Sequence, residues 1–266
     1  MPDETHVNSR HPRAESIRTR EKMTKGVEEK VVALAGLIAH GRGEAFDYLI
    51  GEKTIHPASR AIEAAAATLL LSKYPVLSVN GNVAALCARE IVELAKTSGA
   101  KLEVNLFHRT LEREKAIEKV LKEAGAKEVL GVGKTDLAHI DEVYSERRIV
   151  DPNGILVADV VFVPLEDGDR TEGLVRIGKT VIAVDLNPIS RTAQRANITI
   201  VDNIVRAVPL LTEKVRNLKK LQPSELKNIV ENYDNDEALS EAIQFIENRL
   251  HELAKKGIYI DIKNKT

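Results

Sequence analysis

The chain has 266 residues, which is enough for one large domain with additions. Hydrophobic residues make up 43% and charged residues 30%, a balance typical of globular proteins and not of disordered or membrane chains. The 39 basic and 40 acidic residues nearly cancel, and aromatic residues are only 3%. We therefore expect no non-specific binding of nucleic acid or anionic lipid, and no recognition site built mainly from stacked rings.

The cysteine content and the apolar runs indicate the cellular compartment of the protein. The single cysteine, Cys87, can form neither an internal disulfide nor a cysteine-based zinc site. No apolar run approaches the ~20 residues of a membrane span, and the polar N-terminus lacks the apolar core of a signal peptide. These features predict a cytoplasmic protein that contacts no membrane.

Residues 1–75 are predicted to form a helical segment packed on the core. Arg13–Lys30 is rich in charged helix formers and is followed by apolar residues, which suits two helices or one bent helix. Gly41 and Gly43 predict a break, with a short helical piece after it. Pro57 suits the first turn of a further helix, whose apolar residues recur at i, i+3, i+4 and i+7.

Residues 76–205 alternate short β-rich runs with helical segments. The predicted strands are Val76–Val79, Leu102–Phe107, Glu128–Val132, Ala158–Val163, Thr180–Val184 and Ile198–Val201. Strands that alternate with helices predict βαβ units, so the fold class is α/β, with a Rossmann-like, doubly wound and mainly parallel sheet. Residues 206–266 carry two apolar helical stripes, interpreted as a helical cap or a dimer contact within one compact unit.

Ligands of an open parallel sheet bind beyond the carboxyl ends of its strands, so the turns there are the candidate sites. The first turn is Asn80, Gly81 and Asn82. Amide groups at the start of the next helix attract anions, and Gly81 would let a phosphate approach the backbone. The alternative is an ordinary turn in which Asn82 caps the helix.

The fifth predicted strand is followed by a polar turn with three candidate nucleotide-binding side chains. Asp185 could accept ribose hydrogen bonds, Asn187 could pair with a base edge, and Arg191 could bind phosphate. The sixth strand ends at a second polar turn, Asp202 and Asn203. The alternative is that Asp185 only shapes its turn and that Asp202 or Asn203 caps a helix.

Charged residues outside these turns are further candidates. The basic cluster from His11 to Lys22 suits a solvated helix face or a nucleic-acid arm. Arg42 lies between two glycines, where the backbone can approach an anion closely. The loop Glu166–Arg170 carries carboxylates that could hold Mg²⁺ or orient an amine, although most such loops are hydrated turns.

Several familiar catalytic motifs are absent from the sequence. Gly131–Thr135 looks like the end of a P-loop, but Glu128 occupies the position that requires a glycine, so a surface turn is favoured. There is no GxSxG, HExxH or EF-hand motif, and the seven histidines lack metal-ligand spacing. We therefore assign no metal-ligating residue.

Long blocks of sequence coincide with the segments singled out above. They are His11–Arg13 with Arg20–Lys22, Gly36–Leu49, Asn80–Leu86, Pro164–Thr171, Asp185–Thr192 and Val201–Ala207. These blocks resemble the archaeal phosphopantothenate synthetases, also called 4-phosphopantoate:beta-alanine ligases. The resemblance covers nearly the whole chain, but it leaves residues 131–148 without an assignment.

The resemblance implies a homodimeric ligase of coenzyme A biosynthesis that uses ATP, with Mg²⁺. Such an enzyme joins 4-phosphopantoate to beta-alanine through an acyl-adenylate and releases AMP and pyrophosphate. Carried over residue by residue, ATP would be bound by Arg20, Arg42, Asp185, Leu186, Asn187, Arg191, Thr192, Asn203 and Ile204, with Arg42 and Arg191 also assisting catalysis. Phosphopantoate would be bound by Asn80, Gly81, Asn82 and Arg13.

Two details and two alternatives complete these expectations. Asp167 or Asp169 could orient or deprotonate the amine of beta-alanine, and adenine should contact aliphatic side chains near Leu186 and Ile204. The first alternative is a nucleotide-sensing regulatory module that binds ATP without ligase chemistry. The second is a nucleic-acid-binding protein, which the near-zero net charge and the scarcity of aromatic residues disfavour.

Overall fold

A computed structural model describes residues 13–133 and 136–256. The strands of this part are β1 Pro75–Val79, β2 Lys101–Val104, β3 Ala138–His139, β4 Ile149–Val150, β5 Val160–Pro164, β6 Thr180–Val184 and β7 Ile198–Ile200. The helices are α1 Ala14–Glu28, α2 Leu34–Ile50, α3 His56–Leu71, α4 Gly81–Ser98, α5 Leu111–Glu123, α6 Gly168–Arg176, α7 Arg191–Arg195, α8 Ile204–Leu218, α9 Pro223–Glu231 and α10 Asn235–Lys256. None of these helices is long and apolar enough to span a membrane.

The central sheet has five parallel strands in the order β2-β1-β5-β6-β7. This arrangement confirms the predicted α/β class with a mainly parallel, Rossmann-like sheet. The chain runs outward from β1 to β2 and then resumes on the other side of β1 with β5, so the strand order reverses between β1 and β5. Such a reversal opens a crevice at the carboxyl ends of the two strands.

The predicted strands agree with the sheet most closely at its centre. β6 has the predicted bounds, whereas β2 ends at Val104 instead of Phe107. The prediction of a strand over Glu128–Val132 is wrong, because the pairing there is limited to one bridge between Leu130 and Glu103. Gly131 has a positive φ of 76° and donates its amide to Asp151, which ends the extended pairing.

Helix α2 runs without a break through Gly41 and Gly43, so the predicted break is wrong. Each glycine costs a helix only about 1 kcal/mol relative to alanine, which tertiary contacts can offset. Glu44 and Asp47, both in α2, form ion pairs with arginines of α1 and α8. Contacts across the molecule therefore hold α2 in a position that its sequence alone would not predict.

The hydrophobic core lies on both faces of the sheet. Phe162 of β5 packs into the larger cluster with α3, α4 and α8, whereas its neighbours Val161 and Val163 pack into a smaller cluster on the other face. This alternation is the pattern of a strand covered on both sides. The α8 side chains Val208 and Leu211 are buried against α3 and α4, as expected of a cap. The division into segments 1–75, 76–205 and 206–266 stays a prediction.

Candidate active site

A cavity of about 640 Å³ lies beyond the carboxyl ends of the parallel strands. Its volume is in the range of small-molecule sites, and it lies at the reversal of strand order. It is lined by residues that directly follow β2, β1, β5, β6 and β7, and by helix α2. Of the predicted site residues it contains Arg42, Asn80, Gly81, Asn82, Asp185, Leu186, Asn187, Thr192, Asn203 and Ile204.

Asn80 joins the two strands that flank the reversal. Its side-chain oxygen accepts a hydrogen bond from the amide of Val83 at 3.1 Å, so Asn80 is the N-cap of α4. Its amide nitrogen donates to the carbonyls of Pro164 and Leu165, at 3.0 and 3.1 Å. The alternative in which Asn82 caps the helix is therefore wrong, because the cap lies two residues earlier.

Gly81 and Asn82 allow the segment before α2 to lie against α4. A methyl group at Gly81 would lie 2.1 Å from the carbonyl oxygen of Val31, which no side chain tolerates. Asn82 donates to the carbonyl of Gly36 at 2.9 Å. Since the polar side chains of this turn hold protein elements together, the groups left for an anion are the amides at the start of α4.

The turn after β6 is held by its own side chains. Asp185 accepts hydrogen bonds from the amide of Asn187 at 2.9 Å and from the hydroxyl of Ser190 at 2.5 Å. Burial raises the pKa of Asp185, while these two hydrogen bonds and the charge of Arg42 act in the opposite direction. Asp185 thus shapes its turn, as the alternative interpretation predicts, and it also lines the cavity. Its contact with a ribose stays a prediction.

The turn after β7 fastens α2 to the sheet. Asn203 caps α8 by accepting from the amide of Val205 at 3.3 Å, and its side-chain nitrogen donates to Asp47 at 2.8 Å. Arg206 binds both Asp47 of α2 and Asp202 at the end of β7. This network positions α2 across the carboxyl ends of the strands, where Arg42 lines the cavity.

Three predicted basic residues lie outside the cavity lining. Arg20 of α1 binds Glu44, with 2.7 Å between the guanidinium and a carboxylate oxygen, and Glu44 itself lines the cavity. The exposed Arg191 lies 2.6 Å from Glu172. Arg13 is exposed at the residue before α1. Their proposed roles in ligand binding stay predictions.

Two other predicted segments do not extend into the cavity. The amides of Gly131 and Gly133 donate to the carboxylates of Asp151 and Glu114, so they bind protein groups, as a surface turn would. Residues 134 and 135 of the same segment lie outside the described residues, as do residues 11 and 12 of the N-terminal block.

Two arginines that line the cavity, Arg113 and Arg147, were not predicted from the sequence. Arg147 lies in the stretch 131–148 that the resemblance left unassigned, in a short 3₁₀ turn before β4. Its guanidinium lies 2.8 Å from Glu166 and 2.9 Å from Asp167. Asn105, just after β2, donates to the backbone carbonyl of Arg147 at 3.2 Å and so fixes this segment at the strand end. Only the folded chain brings these groups together, because they are far apart in sequence.

The loop after β5 is more than the hydrated turn offered as an alternative. Glu166 is buried between Arg147 and Arg170, and Arg170 is fully buried with its guanidinium 3.0 Å from the Ser78 hydroxyl. The neighbouring Asp167 lines the cavity. Burial raises the pKa of Asp167, and the charge of Arg147 partly opposes that rise. Asp167 is thus a partly buried cavity carboxylate that forms an ion pair with Arg147.

The remaining cavity lining includes residues that the sequence analysis did not single out. They are His40, Phe46, Leu106, Phe107, His108 and Leu165, among others. Burial lowers the pKa of His40, which favours its neutral form. Within residues 13–133 and 136–256 there is no group of three or more His, Cys, Asp or Glu side chains that could hold a metal ion.

The comparison with known families decides the identity of the chain. The family model of phosphopantothenate/pantothenate synthetase matches residues 57–249, which include every strand-end turn of the cavity. The chain belongs to this family. The resemblance inferred from the sequence blocks is therefore confirmed.

Three archaeal relatives cover almost the whole chain, and each is named 4-phosphopantoate–beta-alanine ligase. The relative from Thermococcus onnurineus is 56% identical over 94% of this chain and 95% of its own length. The relative from Thermococcus kodakarensis is 54% identical over 96% and 97%, and that from Methanosarcina mazei is 50% identical over 96% and 100%. Family members of this kind are thus similar to the chain well beyond the segment that the family model covers.

Proposed function

We propose that this chain is an ATP-dependent ligase that joins 4-phosphopantoate to beta-alanine and releases AMP and pyrophosphate. The observation that carries the proposal is the single cavity that spans five strand ends and combines polar turns with Arg42, Arg113 and Arg147. Relatives that carry this ligase name are 50 to 56% identical to the chain. A ligase of two anions needs such a concentration of positive charge around one cavity.

The β6–β7 side of the cavity suits the nucleotide. Asp185 and Asn203 hold the two turns there, and Leu186 and Ile204 offer aliphatic surface for adenine. Arg42 lines the cavity next to Gly43, where an added methyl group would lie 3.6 Å from the Leu186 side chain, so this part of α2 lies beside the β6 turn. In this proposal the ATP-binding residues are Arg20, Arg42, Asp185, Leu186, Asn187, Arg191, Thr192, Asn203 and Ile204.

Arg191 would have to move to reach ATP. Its stem packs on Gly168, where an added methyl group would lie 2.6 Å from the Arg191 side chain. Its guanidinium binds the exposed Glu172. Because exposed ion pairs are weak, exchange of Glu172 for a phosphate is energetically easy.

The β1–β2 side suits the acid. Neighbouring strands lie ~4.8 Å apart, so the five strand ends span about 19 Å, which accommodates two ligands side by side. The amides of Gly81 and Asn82 begin α4 at this side. The carboxylate of 4-phosphopantoate would then meet the α-phosphate of ATP near the middle of the sheet, above the end of β5.

The chemistry has two steps. The acid carboxylate attacks the α-phosphorus of ATP, which forms the acyl-adenylate and breaks the bond to the leaving pyrophosphate. The Arg42 guanidinium offsets the repulsion between the two anions and stabilises the negative charge of the transition state. The neutral amine of beta-alanine then attacks the acyl carbon, the bond to AMP breaks as the amide forms, and the amine nitrogen loses a proton. We assign Asp167, a carboxylate of the cavity lining, as the acceptor of that proton.

Mg²⁺ remains a prediction from the resemblance. Three of the four cavity carboxylates that the structure describes, Glu44, Glu166 and Asp185, already accept hydrogen bonds on both oxygens, and the fourth, Asp167, is paired with Arg147. These residues therefore do not fit a magnesium site held by the protein, and an ion on ATP would take most of its ligands from phosphate and water. The homodimer and the cytoplasmic location also stay predictions.

Product analysis tests this function. The protein, ATP, 4-phosphopantoate and beta-alanine should yield 4'-phosphopantothenate, AMP and pyrophosphate in equal amounts, measured by liquid chromatography and mass spectrometry. With beta-alanine omitted, 4-phosphopantoate alone should support exchange of labelled pyrophosphate into ATP, because the acyl-adenylate forms first. ADP in place of AMP would mean activation as an acyl-phosphate, and ATP binding without any product would favour the nucleotide-sensing module.

A further inference from the structure

We propose that Arg113 and Arg147 bind the phosphate group of the acid substrate and thereby select 4-phosphopantoate over unphosphorylated pantoate. This inference rests on the proposed function, because it names the groups that recognise the acid of that reaction. The family description covers both phosphopantothenate and pantothenate synthetases, so the choice between the two acids needs a physical basis in each member.

Both arginines lie at one edge of the cavity. Arg113 belongs to α5, which follows β2 in the chain, and Arg147 is tied to Asn105 directly after β2. β2 is the edge strand farthest from β7 in the sheet. An acid whose carboxylate meets ATP near the centre of the sheet would therefore place its opposite end, which carries the phosphate, at these two arginines.

Arg113 is fixed in position while its charge is not neutralised by a carboxylate. It donates to the carbonyl of His108 and, at 3.0 Å, to the carbonyl of Val31. In the part of the chain that the structure describes, Arg113 forms no ion pair with Asp or Glu. A methyl group on Gly81 would lie 2.9 Å from its guanidinium, so Arg113 abuts the start of α4. The helix amides and the guanidinium thus converge on one place.

Two protein carboxylates hold the Arg147 side chain in position. Its side chain is only 8% exposed, and Glu166 and Asp167 bind it on the side of the β5 loop. Glu166 is shared with the fully buried Arg170, so Glu166 is the positioning residue for Arg147. A guanidinium fixed in this way needs little reorganisation when it binds a ligand.

The positive charges of Arg113 and Arg147 repel each other at this edge of the cavity. Burial lowers the pKa of Arg113, and the second cause of that lowering is the charge of Arg147. A phosphate dianion between them would replace this repulsion by charge-assisted hydrogen bonds. Pantoate carries a neutral hydroxyl at the same position, which leaves the partly buried Arg113 guanidinium without a negatively charged partner. Sites of this kind discriminate strongly against the analogue that lacks the polar group.

The test compares the two acids in matched variants. Arg113→Gln and Arg147→Gln remove the charges, while Lys115→Gln and Arg148→Gln are controls that remove exposed charges one or two residues away. Steady-state kinetics gives kcat/KM for 4-phosphopantoate and for pantoate at saturating ATP and beta-alanine. We expect each cavity variant to lose on the order of 10²-fold for 4-phosphopantoate and less than about 3-fold for pantoate. Both controls should keep the wild-type ratio.

A second readout separates recognition from folding. Isothermal titration should show weaker binding of 4-phosphopantoate to Arg113→Gln with ATP affinity unchanged, and circular dichroism should show a native fold. If Arg147→Gln does not fold, Arg147→Lys keeps the charge and should lose affinity for 4-phosphopantoate through the missing fork of donors.

Some outcomes would overturn the inference. Equal losses for both acids, an unchanged ratio in Arg113→Gln, or a wild-type enzyme that accepts pantoate equally well would each do so. Failure of the proposed function is distinguishable, since wild-type protein would then make no AMP from either acid.

Discussion

The two ends of the cavity provide for anions with different chemical groups. At the β6–β7 end, the side chains of Asp185 and Asn203 are used in hydrogen bonds that hold their own turns. At the β2 end, Arg113 and Arg147 themselves line the cavity. Substitutions at the β2 end should therefore act through charge, whereas substitutions of the turn residues at the β6–β7 end should act through backbone geometry. Arg42 of α2, which is not a turn residue, is the exception at the β6–β7 end.

The difference has an energetic consequence. Buried charges at the β2 end depend on one another, because Arg147 and Arg170 share the carboxylate of Glu166. Removal of one partner from such a network leaves an uncompensated charge in the interior. The other end also has a charged network, in which Arg206 binds Asp47 and Asp202. Its helix caps Ser190 and Asn203 rest on neutral hydrogen bonds, which contribute less each.

The largest effect is expected for Glu166→Gln. The side chain keeps its shape but loses the charge that Arg147 and Arg170 share, so the free energy of unfolding should fall by about 3–5 kcal/mol. Urea denaturation followed by circular dichroism measures this change. The control is Glu172→Gln, which removes a carboxylate whose ion pairs with Arg176 and Arg191 are exposed and should leave the midpoint almost unchanged. Equal unfolding midpoints for the two variants would mean that the buried network of Glu166 stabilises the protein no more than exposed ion pairs do, which would contradict the energetic argument above.

Arg42→Ala should have the next largest effect. Loss of charge-assisted contacts to the phosphates should lower kcat/KM for ATP on the order of 10²-fold. Arg42 makes no ion pair within residues 13–133 and 136–256, so the fold and the unfolding midpoint should be preserved. Arg216→Ala is the matched control, because Arg216 pairs with Glu93 on the surface and lies outside the cavity lining. Near wild-type kinetics in a folded Arg42→Ala protein would remove Arg42 from the site.

The fold and the place of the site could be predicted because both follow from local patterns. Alternation of apolar strands with amphipathic helices is enough to indicate a parallel sheet, and strand ends then locate the cavity. The bounds of β6 were predicted correctly because a continuous Val, Ile and Ala run suits a strand buried on both faces. Helix α2 was not, since the ion pairs of Glu44 and Asp47 offset the glycines from distant parts of the chain.

The charged end of the cavity could not be predicted for a related reason. Arg147 has no local motif, and only the return of the chain through β3 and β4 brings it to the end of β2. Arg113 lies on a helix rich in charge, where one guanidinium cannot be told from its neighbours by spacing. Polar turn residues can be recognised in a sequence because turns restrict the residue type. A helix does not restrict it in this way, so an arginine that lines a cavity from a helix cannot be recognised.

The smallest effect is expected for substitution of Asn203, and it tests the β6–β7 end of the cavity most directly. Asn203→Ala removes the N-cap of α8 and should lower the free energy of unfolding by about 1 kcal/mol. The KM for ATP should rise up to about 5-fold, because the amides that begin α8 lose their fixed orientation. Urea denaturation and steady-state kinetics measure the two quantities on the same preparation.

Asn203→Ser distinguishes the two ways in which Asn203 could act. Serine caps helices as well as asparagine does, so it should recover most of the lost stability. It lacks the side-chain nitrogen that donates to Asp47, but Arg206 still binds Asp47 in its place. If the turn acts through its backbone, the KM for ATP should recover together with stability. Recovery of stability without recovery of the KM would mean that the Asn203 side-chain amide contacts the nucleotide. Side chains, and not only the backbone, would then bind ATP at the β6–β7 end.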